Sequence, residues 1–245
     1  MELPALERLD LAGQRVFVRA DLNVPLAERD GARVVADDFR IRATVPLLER
    51  LLAAGASVVV ATHLGRPRGR PDERFSVEPV RARLAELCPG VELLENLRFD
   101  PGEESGDAAF GASLVDGVDV YVNEAFGASH RAHASIVVPP RLVPSAAGPN
   151  LVAEVAALSR LLESPERPFV AVVGGAKVAD KLGVVPELAR RADTVVGGGG
   201  MAYTFLAAAG HTVGASLRDD RHLEDCAALL ATGKVVLPVD GLGLA

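Results

Sequence analysis

Tryptophan is absent from this chain of 245 residues, aromatic residues make up only 4%, and lysine is scarce, with three among 26 Lys plus Arg. So few aromatic side chains argue against a surface that stacks nucleic-acid bases, and the net charge of -7 argues against broad nucleic-acid binding. The two cysteines, Cys88 and Cys226, lack metal-type spacing, so we expect reduced thiols. No apolar run has membrane-spanning length, and the first residues are not typical of a signal peptide. We therefore predict a cytoplasmic protein without nucleic-acid or membrane partners.

Two of the three lysines, Lys177 and Lys181, lie four residues apart beside a glycine turn. A predicted buried strand over 169–173 precedes Gly174 and Gly175, and a helical pattern follows them. A glycine turn at a helix start exposes backbone N–H groups that bind phosphate, and a lysine ammonium can follow a phosphoryl group as a mobile point charge. Because nearly every other basic position has Arg, we favour phosphate contact over two solvated helix lysines.

Strands alternate with helices along the whole chain, with a Pro-rich interruption over 138–149. This alternation predicts an α/β fold with two mainly parallel, Rossmann-like sheets, the second incomplete. We expect an N-terminal domain over 1–149, an interdomain helix and linker over 150–165, and a partial C-terminal domain over 166–245. Pro46 falls inside a predicted helix over 38–54, which indicates either a kink or a later helix start.

Polar and basic side chains collect after four predicted strands of the first half: Asp21 and Asn23, then His63 and Arg66, then Arg98, and finally His130, Arg131 and His133. The carboxyl ends of parallel strands meet at one edge of a sheet, where ligands bind. The group predicts a site for a small substrate that bears phosphate and carboxylate. Taken singly, each residue also has a structural explanation, such as an ion pair between Arg98 and Glu95. The histidines lack a nearby acidic partner in the sequence, so we predict no metal site.

Four glycines at 197–200 form a second possible phosphate-binding turn, although close backbone packing would explain them equally well. Neither glycine turn matches GxxxxGK[ST], and GxGxxG is absent from the sequence. These absences disfavour a P-loop hydrolase and a dinucleotide-dependent dehydrogenase.

Seven segments occur in the order found in phosphoglycerate kinases, and from about residue 15 to residue 240 the chain resembles that family. They are RADLNVPL, DDFRIRA, HLGRP, ENLRFDPGEE, YVNEAFGASHRAHAS, VVGGAKVADKLG and GGGMAYTFL. The resemblance implies two α/β domains, the first for 3-phosphoglycerate and the second for ATP or ADP with Mg²⁺ carried by the nucleotide. It implies reversible phosphoryl transfer in glycolysis between 1,3-bisphosphoglycerate and ADP, giving 3-phosphoglycerate and ATP. We expect a monomer whose partners are these small molecules.

The resemblance also implies roles for individual residues. Arg40 and Lys177 would stabilise the phosphoryl group in transfer. Contacts to phosphoglycerate would come from Asp21, Leu22, Asn23, Arg40, His63, Leu64, Gly65, Arg66, Arg98 and Arg131. Contacts to the nucleotide phosphates would come from Gly174, Gly175, Lys177 and Lys181.

Three departures from the family pattern qualify these expectations. The segment between HLGRP and ENLRF is short, Glu124 replaces a usual Asp, and the later family motifs do not follow LPVDGLGLA. We therefore expect a C-terminally truncated member with a complete phosphoglycerate site and half of a nucleotide site, which binds 3-phosphoglycerate but turns over weakly or not at all alone. Three hypotheses stay open: a kinase, either alone or completed by a second polypeptide; a binding module without catalysis; and a fragment without independent function.

Overall fold

The computed structural model of the chain describes residues 3–176, 179, 181 and 183–241. The chain divides into two compact units, Met1–Ala157 and Leu158–Ala245, which we call unit 1 and unit 2. The division falls within a helix, α6, that spans Pro149–Glu163.

Unit 1 is built on a parallel sheet. Its strands are β1 Arg15–Arg19, β4 Ser57–Ala61, β5 Glu92–Leu93, β6 Val120–Asn123 and β7 Ser145–Ala147, in the spatial order β5-β4-β1-β6-β7. A separate antiparallel hairpin joins β2 Leu26–Arg29 to β3 Ala32–Val35. Because the strands of the larger sheet are parallel, their carboxyl ends lie along one edge, as the sequence predicts.

Helices cover both faces of this sheet. They are α1 Phe39–Ala53, α2 Glu78–Leu87, α3 Pro101–Ser105, α4 Ala108–Ser113, α5 Ala134–Val137 and the first half of α6. Single 3₁₀ turns lie at Leu6–Arg8, Glu73–Phe75, Leu97–Phe99, Phe126–Ala128 and Pro139–Arg141. Helix α1 begins one residue after the predicted start and runs through Pro46 without a break.

The alternation of side chains along the strands fills two hydrophobic clusters. Val16 and Val18 of β1 point to one face, where they pack in the cluster that contains Leu48 of α1 and Leu84 of α2. Phe17 points to the other face, where its ring stacks on Tyr121 with 6.0 Å between centroids. A sheet buried on both faces explains why the central strands read as continuous apolar runs.

Unit 2 has a smaller parallel sheet of β8 Val170–Gly174, β9 Thr194–Gly198 and β10 Val235–Val236, in the order β10-β9-β8. Its described helices are α7 Val185–Arg191, α8 Ala202–Ala208 and α9 Leu223–Ala231, and a 3₁₀ turn at Asp220–His222 precedes α9.

Two predicted elements of unit 2 differ from the structure. The helix expected from 178 to 190 is α7, which starts only at Val185. Pro186 lies at its first positions, where a proline is tolerated because the N–H that it lacks would have no partner. The strand expected over 235–239 ends at Val236, two residues before Pro238. These differences leave the predicted α/β class with parallel sheets confirmed.

Candidate functional site

A cavity of about 260 Å³ lies in unit 1 among the loops that follow the strands, and we call it the arginine cavity. Eight of the residues predicted to contact substrate line it: Asp21, Asn23, Arg40, His63, Gly65, Arg66, Arg98 and Arg131. Four guanidinium groups and a single carboxylate therefore border one small space. Such a lining favours an anion with more than one negative charge.

The parallel sheet brings these residues together from distant parts of the chain. Asp21 follows β1, His63 follows β4, Arg98 lies in the turn after β5, and Arg131 follows β6. These four strands are neighbours in the sheet. Arg40 comes from the first turn of α1 instead. The convergence is the one expected for a ligand site at the carboxyl edge of an open parallel sheet.

The loop after β4 is held at Gly65. The Gly65 N–H donates to Asn23 Oδ1 at 3.0 Å, and its carbonyl accepts from Arg98 Nη1 at 2.8 Å. Gly65 has a φ of +60°, and a Cβ there would overlap the Phe75 ring. Both the conformation and the space require glycine, so this residue shapes the cavity through its backbone.

Arg98 is a buried cation in the cavity wall, with 4% of its surface exposed. Its Nε lies 3.2 Å from Glu104 Oε1, close enough for an ion pair, but it makes no aligned hydrogen bond. Burial lowers the pKa of Arg98, and the charge of Glu104 opposes this shift. Glu95, the alternative partner suggested by the sequence, instead accepts hydrogen bonds from Ser76 Oγ and the Val77 N–H at the start of α2.

The remaining three arginines differ in how they are held. Arg40 Nη1 forms an ion pair with Asp21 Oδ2 at 2.7 Å. A Cβ on Gly127 would lie 2.8 Å from that same carboxylate oxygen, so glycine leaves room for the pair. Arg66 and Arg131 are exposed, and the described residues place no carboxylate against either. These two charges are therefore free to neutralise a ligand.

Leu22 and Leu64 do not line the cavity, although both were predicted to contact substrate. Their side chains are buried in the main hydrophobic cluster of unit 1. The Leu22 N–H donates to Thr62 Oγ1 at 2.9 Å, and Asn96 holds both the N–H and the carbonyl of Leu64. The two leucines anchor the loops on which cavity residues stand.

Behind the cavity lies a buried polar network that the sequence did not reveal. Arg19 is fully buried, and its guanidinium contacts Ser135 Oγ at 2.8 Å and His63 Nδ1 at 3.2 Å. Ser135 Oγ also lies 2.6 Å from Glu103 Oε1, which in turn is 3.7 Å from His133 Nδ1. Glu103 is thus the acidic neighbour of His133 that the sequence did not show. These groups are up to 116 positions apart along the chain, so local spacing carries no signal of them.

Glu124 is buried beside a second, larger cavity of unit 1, of about 760 Å³, which shares Asp21 and Arg40 with the arginine cavity. Its Oε2 accepts the Asn150 N–H at 3.0 Å in the first turn of α6, whereas its Oε1 is buried without a partner. Burial raises the pKa of Glu124 to about 7, and the Asn150 N–H opposes the rise. A Cβ on Gly148 would overlap this carboxylate. Glu124 is one methylene longer than the Asp that is usual at this position, and the missing side chain of Gly148 leaves space for it.

The two glycine turns of unit 2 pack against each other at the ends of β8 and β9. A Cβ on Gly199 would lie 3.0 Å from the Gly175 carbonyl oxygen, and one on Gly200 would lie 2.8 Å from the Ala176 carbonyl oxygen. Lys181 lies beside Gly175: its Cε is 3.5 Å from the position that a Cβ on Gly175 would occupy. Close backbone packing therefore accounts for the second turn, and Lys177 lies outside the described residues.

Unit 2 also has a cavity of about 890 Å³ beside the second glycine turn. Its lining includes Gly199 and Gly200, the apolar side chains of Leu206 and Leu237, and the Tyr203 ring. Apolar and aromatic side chains around a space of this size suit the ring of a small ligand.

Neither a metal cluster nor a membrane-spanning helix is found within the part of the chain that the structure describes. No group of three or more His, Cys, Asp or Glu side chains in that part could hold a metal ion. No helix in that part is both long and apolar enough to cross a bilayer.

Comparison with known proteins gives one consistent family. The sequence profile described as "Phosphoglycerate kinase" matches residues 6–92 and 89–243. The chain is 45% identical over 269 residues to a phosphoglycerate kinase of Frankia alni and 47% identical over 260 residues to one of Desulforudis audaxviator. These alignments cover 96% and 95% of this chain, but 67% and 65% of the relatives.

Two solved structures agree with the sequence comparison. Phosphoglycerate kinase from Coxiella burnetii superposes with a TM-score of 0.83 at 34% identity, and the match covers 97% of this chain and 65% of the other. Phosphoglycerate kinase from Pyrococcus horikoshii superposes with a TM-score of 0.81 at 29% identity, covering 97% and 67%. The chain thus spans about two thirds of the length of the proteins that it resembles.

Proposed function

The chain belongs to the phosphoglycerate kinase family, and on that premise we propose that its arginine cavity binds 3-phosphoglycerate. We further propose that the chain takes part in reversible phosphoryl transfer between 1,3-bisphosphoglycerate and ADP. The observation that carries the proposal is the convergence of Arg40, Arg66, Arg98 and Arg131 on one cavity of about 260 Å³.

The charges of the cavity match the proposed ligand. A phosphoglycerate molecule presents a phosphate at one end and a carboxylate at the other. Arg66 and Arg131 have no carboxylate partner among the described residues, so each can form charge-assisted hydrogen bonds to these groups. Asn23 and Asp21 border the same space and can accept a hydrogen bond from the hydroxyl between them.

Phosphoryl transfer asks mainly for positioning and charge stabilisation, because little covalent chemistry is left for the protein to do. In this proposal Arg40, held by Asp21 at 2.7 Å, neutralises charge on the phosphoryl group as it moves. Lys177 has the second catalytic role and lies outside the described residues. A bound nucleotide supplies the phosphoryl group or accepts it, and it carries the Mg²⁺.

The residues of unit 2 fit a nucleotide in the role of co-substrate. Gly174 ends β8 and Gly175 follows it, so neither residue puts a side chain at the turn, and Lys181 lies next to Gly175. The adjoining cavity of about 890 Å³ has the size and the apolar surface for a nucleoside. We therefore assign the nucleotide to unit 2 and the phosphoglycerate to unit 1.

Steady-state assay of the purified chain with MgATP and 3-phosphoglycerate tests the kinase activity directly. The expected result is ADP formation that requires both substrates and is lost in the Lys177→Met variant purified in the same way. That variant controls for a contaminating host enzyme. Binding of 3-phosphoglycerate without turnover would restrict the function to a binding module, and the absence of both would contradict the proposal.

A further inference from the structure

We propose that Arg19 fixes His63 as a neutral ring with its proton on Nε2, so that His63 serves the arginine cavity as a hydrogen-bond donor and not as a further cation. Arg19 is then a positioning residue, since it lies behind the cavity and is fully buried. The part of this proposal in which His63 donates to 3-phosphoglycerate rests on the proposed function. The protonation state of the His63 ring does not depend on any ligand.

The donor and acceptor roles follow from the chemistry of arginine. A guanidinium has five N–H donors and no acceptor, and it keeps its proton in proteins. Arg19 Nη2 lies 3.2 Å from His63 Nδ1, so the contact is a hydrogen bond only if Nδ1 accepts. A neutral imidazole with an accepting Nδ1 carries its proton on Nε2.

The orientation of Arg19 is itself fixed from behind. Its Nε donates to Ser135 Oγ at 2.8 Å, so that hydroxyl must direct its own proton elsewhere. Glu103 Oε1 lies 2.6 Å from the same oxygen and accepts this proton. The backbone N–H of Ser135 donates to the other oxygen of Glu103 at 2.9 Å. Arg19 therefore donates in two directions, to His63 on one side and, through Ser135, toward a carboxylate that is 0% exposed on the other.

The surroundings of His63 oppose a second proton. His63 is 8% exposed, and it is faced by Arg19 from β1, Arg98 from the turn after β5, Arg131 after β6 and His133 from the start of α5. Burial first, and then these positive neighbours, lower the pKa of His63 to about 2. Glu103, the buried carboxylate of the same network, accepts hydrogen bonds from Ser135.

The free nitrogen of His63 faces the cavity. His63 lines the arginine cavity, and among the described residues no protein group bonds to its Nε2. Nε2 is not fully buried either, so a ligand in the cavity can reach it. A neutral N–H donor at this point can bind a phosphate or carboxylate oxygen at any pH where the protein is folded.

The first test uses the wild-type chain with ¹⁵N-labelled histidine and two-bond ¹H–¹⁵N correlation spectra. The His63 signals are those that disappear in the His63→Gln variant. We expect an unprotonated Nδ1 and a protonated Nε2, unchanged from about pH 8 down to about pH 5. An Nδ1–H pattern, or a titration near the unperturbed value of about 6.5, would overturn the proposal.

The second test removes the guanidinium with Arg19→Met. If the variant folds, Nδ1 loses the donor that obliges it to accept, so the Nδ1–H tautomer should become populated. The His63 midpoint should also rise because one neighbouring charge is removed, while burial and the other cations remain. Affinity for 3-phosphoglycerate, measured by calorimetry, should fall because a share of the His63 rings no longer presents an N–H donor to the cavity. A variant whose His63 keeps the wild-type Nε2–H pattern would overturn the role of Arg19. If the variant does not fold, the wild-type spectrum decides the proposal.

Ligand additions separate this inference from the proposed function. Both 3-phosphoglycerate and inorganic phosphate are added to the labelled wild type. A shift of the His63 Nε2 signal with 3-phosphoglycerate supports the donor role and the proposed function together. A shift with phosphate alone supports the donor role and contradicts the proposed substrate. No shift with either probe would overturn the donor role.

Discussion

Glu124 makes the stability of unit 1 depend on pH in a direction that the structure determines. The residue is 4% exposed, and burial raises the pKa of its carboxyl from 4.5 to about 7. Below about pH 4.5 the group is neutral in both the folded and the unfolded chain. As the pH rises toward 7, the unfolded chain ionises first, so the stability contributed by the neutral form is lost across that window.

The size of the effect follows from the shift. One pKa unit corresponds to about 1.36 kcal/mol, so a rise from 4.5 to about 7 sets an upper bound of about 3 kcal/mol. Solvent in the adjoining cavity screens the buried charge and lowers the expected loss to about 1–2 kcal/mol. The Glu124→Gln variant has no ionisable group at this position and should not show the loss.

Urea unfolding followed by far-ultraviolet circular dichroism measures this difference, since the chain has no Trp for fluorescence. Between about pH 5 and 7.5, the free energy of unfolding should fall by about 1–2 kcal/mol more in wild type than in Glu124→Gln. The matched control is Glu154→Gln, which removes an exposed carboxylate from helix α6, the helix whose Asn150 N–H bonds to Glu124, and should behave like wild type. Parallel pH profiles for wild type and Glu124→Gln, or a wild type that gains stability with pH, would refute the reasoning.

Two further substitutions test the cavity and its loop. Arg131→Gln should weaken 3-phosphoglycerate binding by about tenfold to a hundredfold through loss of a charge-assisted hydrogen bond, whereas exposed Arg141→Gln should not, and calorimetry distinguishes them. Gly65→Ala should lower the free energy of unfolding by about 1–3 kcal/mol, because it combines positive φ with overlap of Phe75. Gly90→Ala has positive φ but open space, so it should cost less in the same urea experiment; equal losses would contradict the steric argument.

Much of the site follows from one rule applied to the sequence. Once the strands are assigned from their apolar runs, parallel pairing places the residues after β1, β4, β5 and β6 at one edge. Asp21, His63, Arg98 and Arg131 were predicted in this way, and they border one cavity. Each of these residues alone is weak evidence for a site, but the parallel sheet places all four at the same edge, and together they predict one.

The rest depends on contacts that leave no local trace. Arg19 ends a strand in which the three preceding residues are apolar, and its partner Ser135 is 116 residues away. Only the packed fold shows that its charge is buried and that it orients His63. Conversely, Leu22 and Leu64 lie in conspicuous motifs, yet their side chains pack in the core. A sequence motif predicts that a loop lies at the site, but only the packed structure shows which side chains of that loop line the cavity and which are buried in the core.

Short elements also escaped prediction for physical reasons. Strand β7 has three residues and follows Pro144, so it lacks the length that periodicity requires. The hairpin of β2 and β3 has few buried side chains, so its apolar pattern is weak. Neither element contributes a lining residue to the arginine cavity.

Isothermal titration calorimetry of the whole chain with 3-phosphoglycerate tests the central claim most directly. The account predicts one molecule bound per chain, an affinity that falls as salt is added, and a large loss of affinity in the double variant Arg66→Gln, Arg131→Gln. Glycerate, which lacks the phosphate, should bind much more weakly. Heats equal to dilution for the wild type, or undiminished binding by the double variant, would contradict the claim.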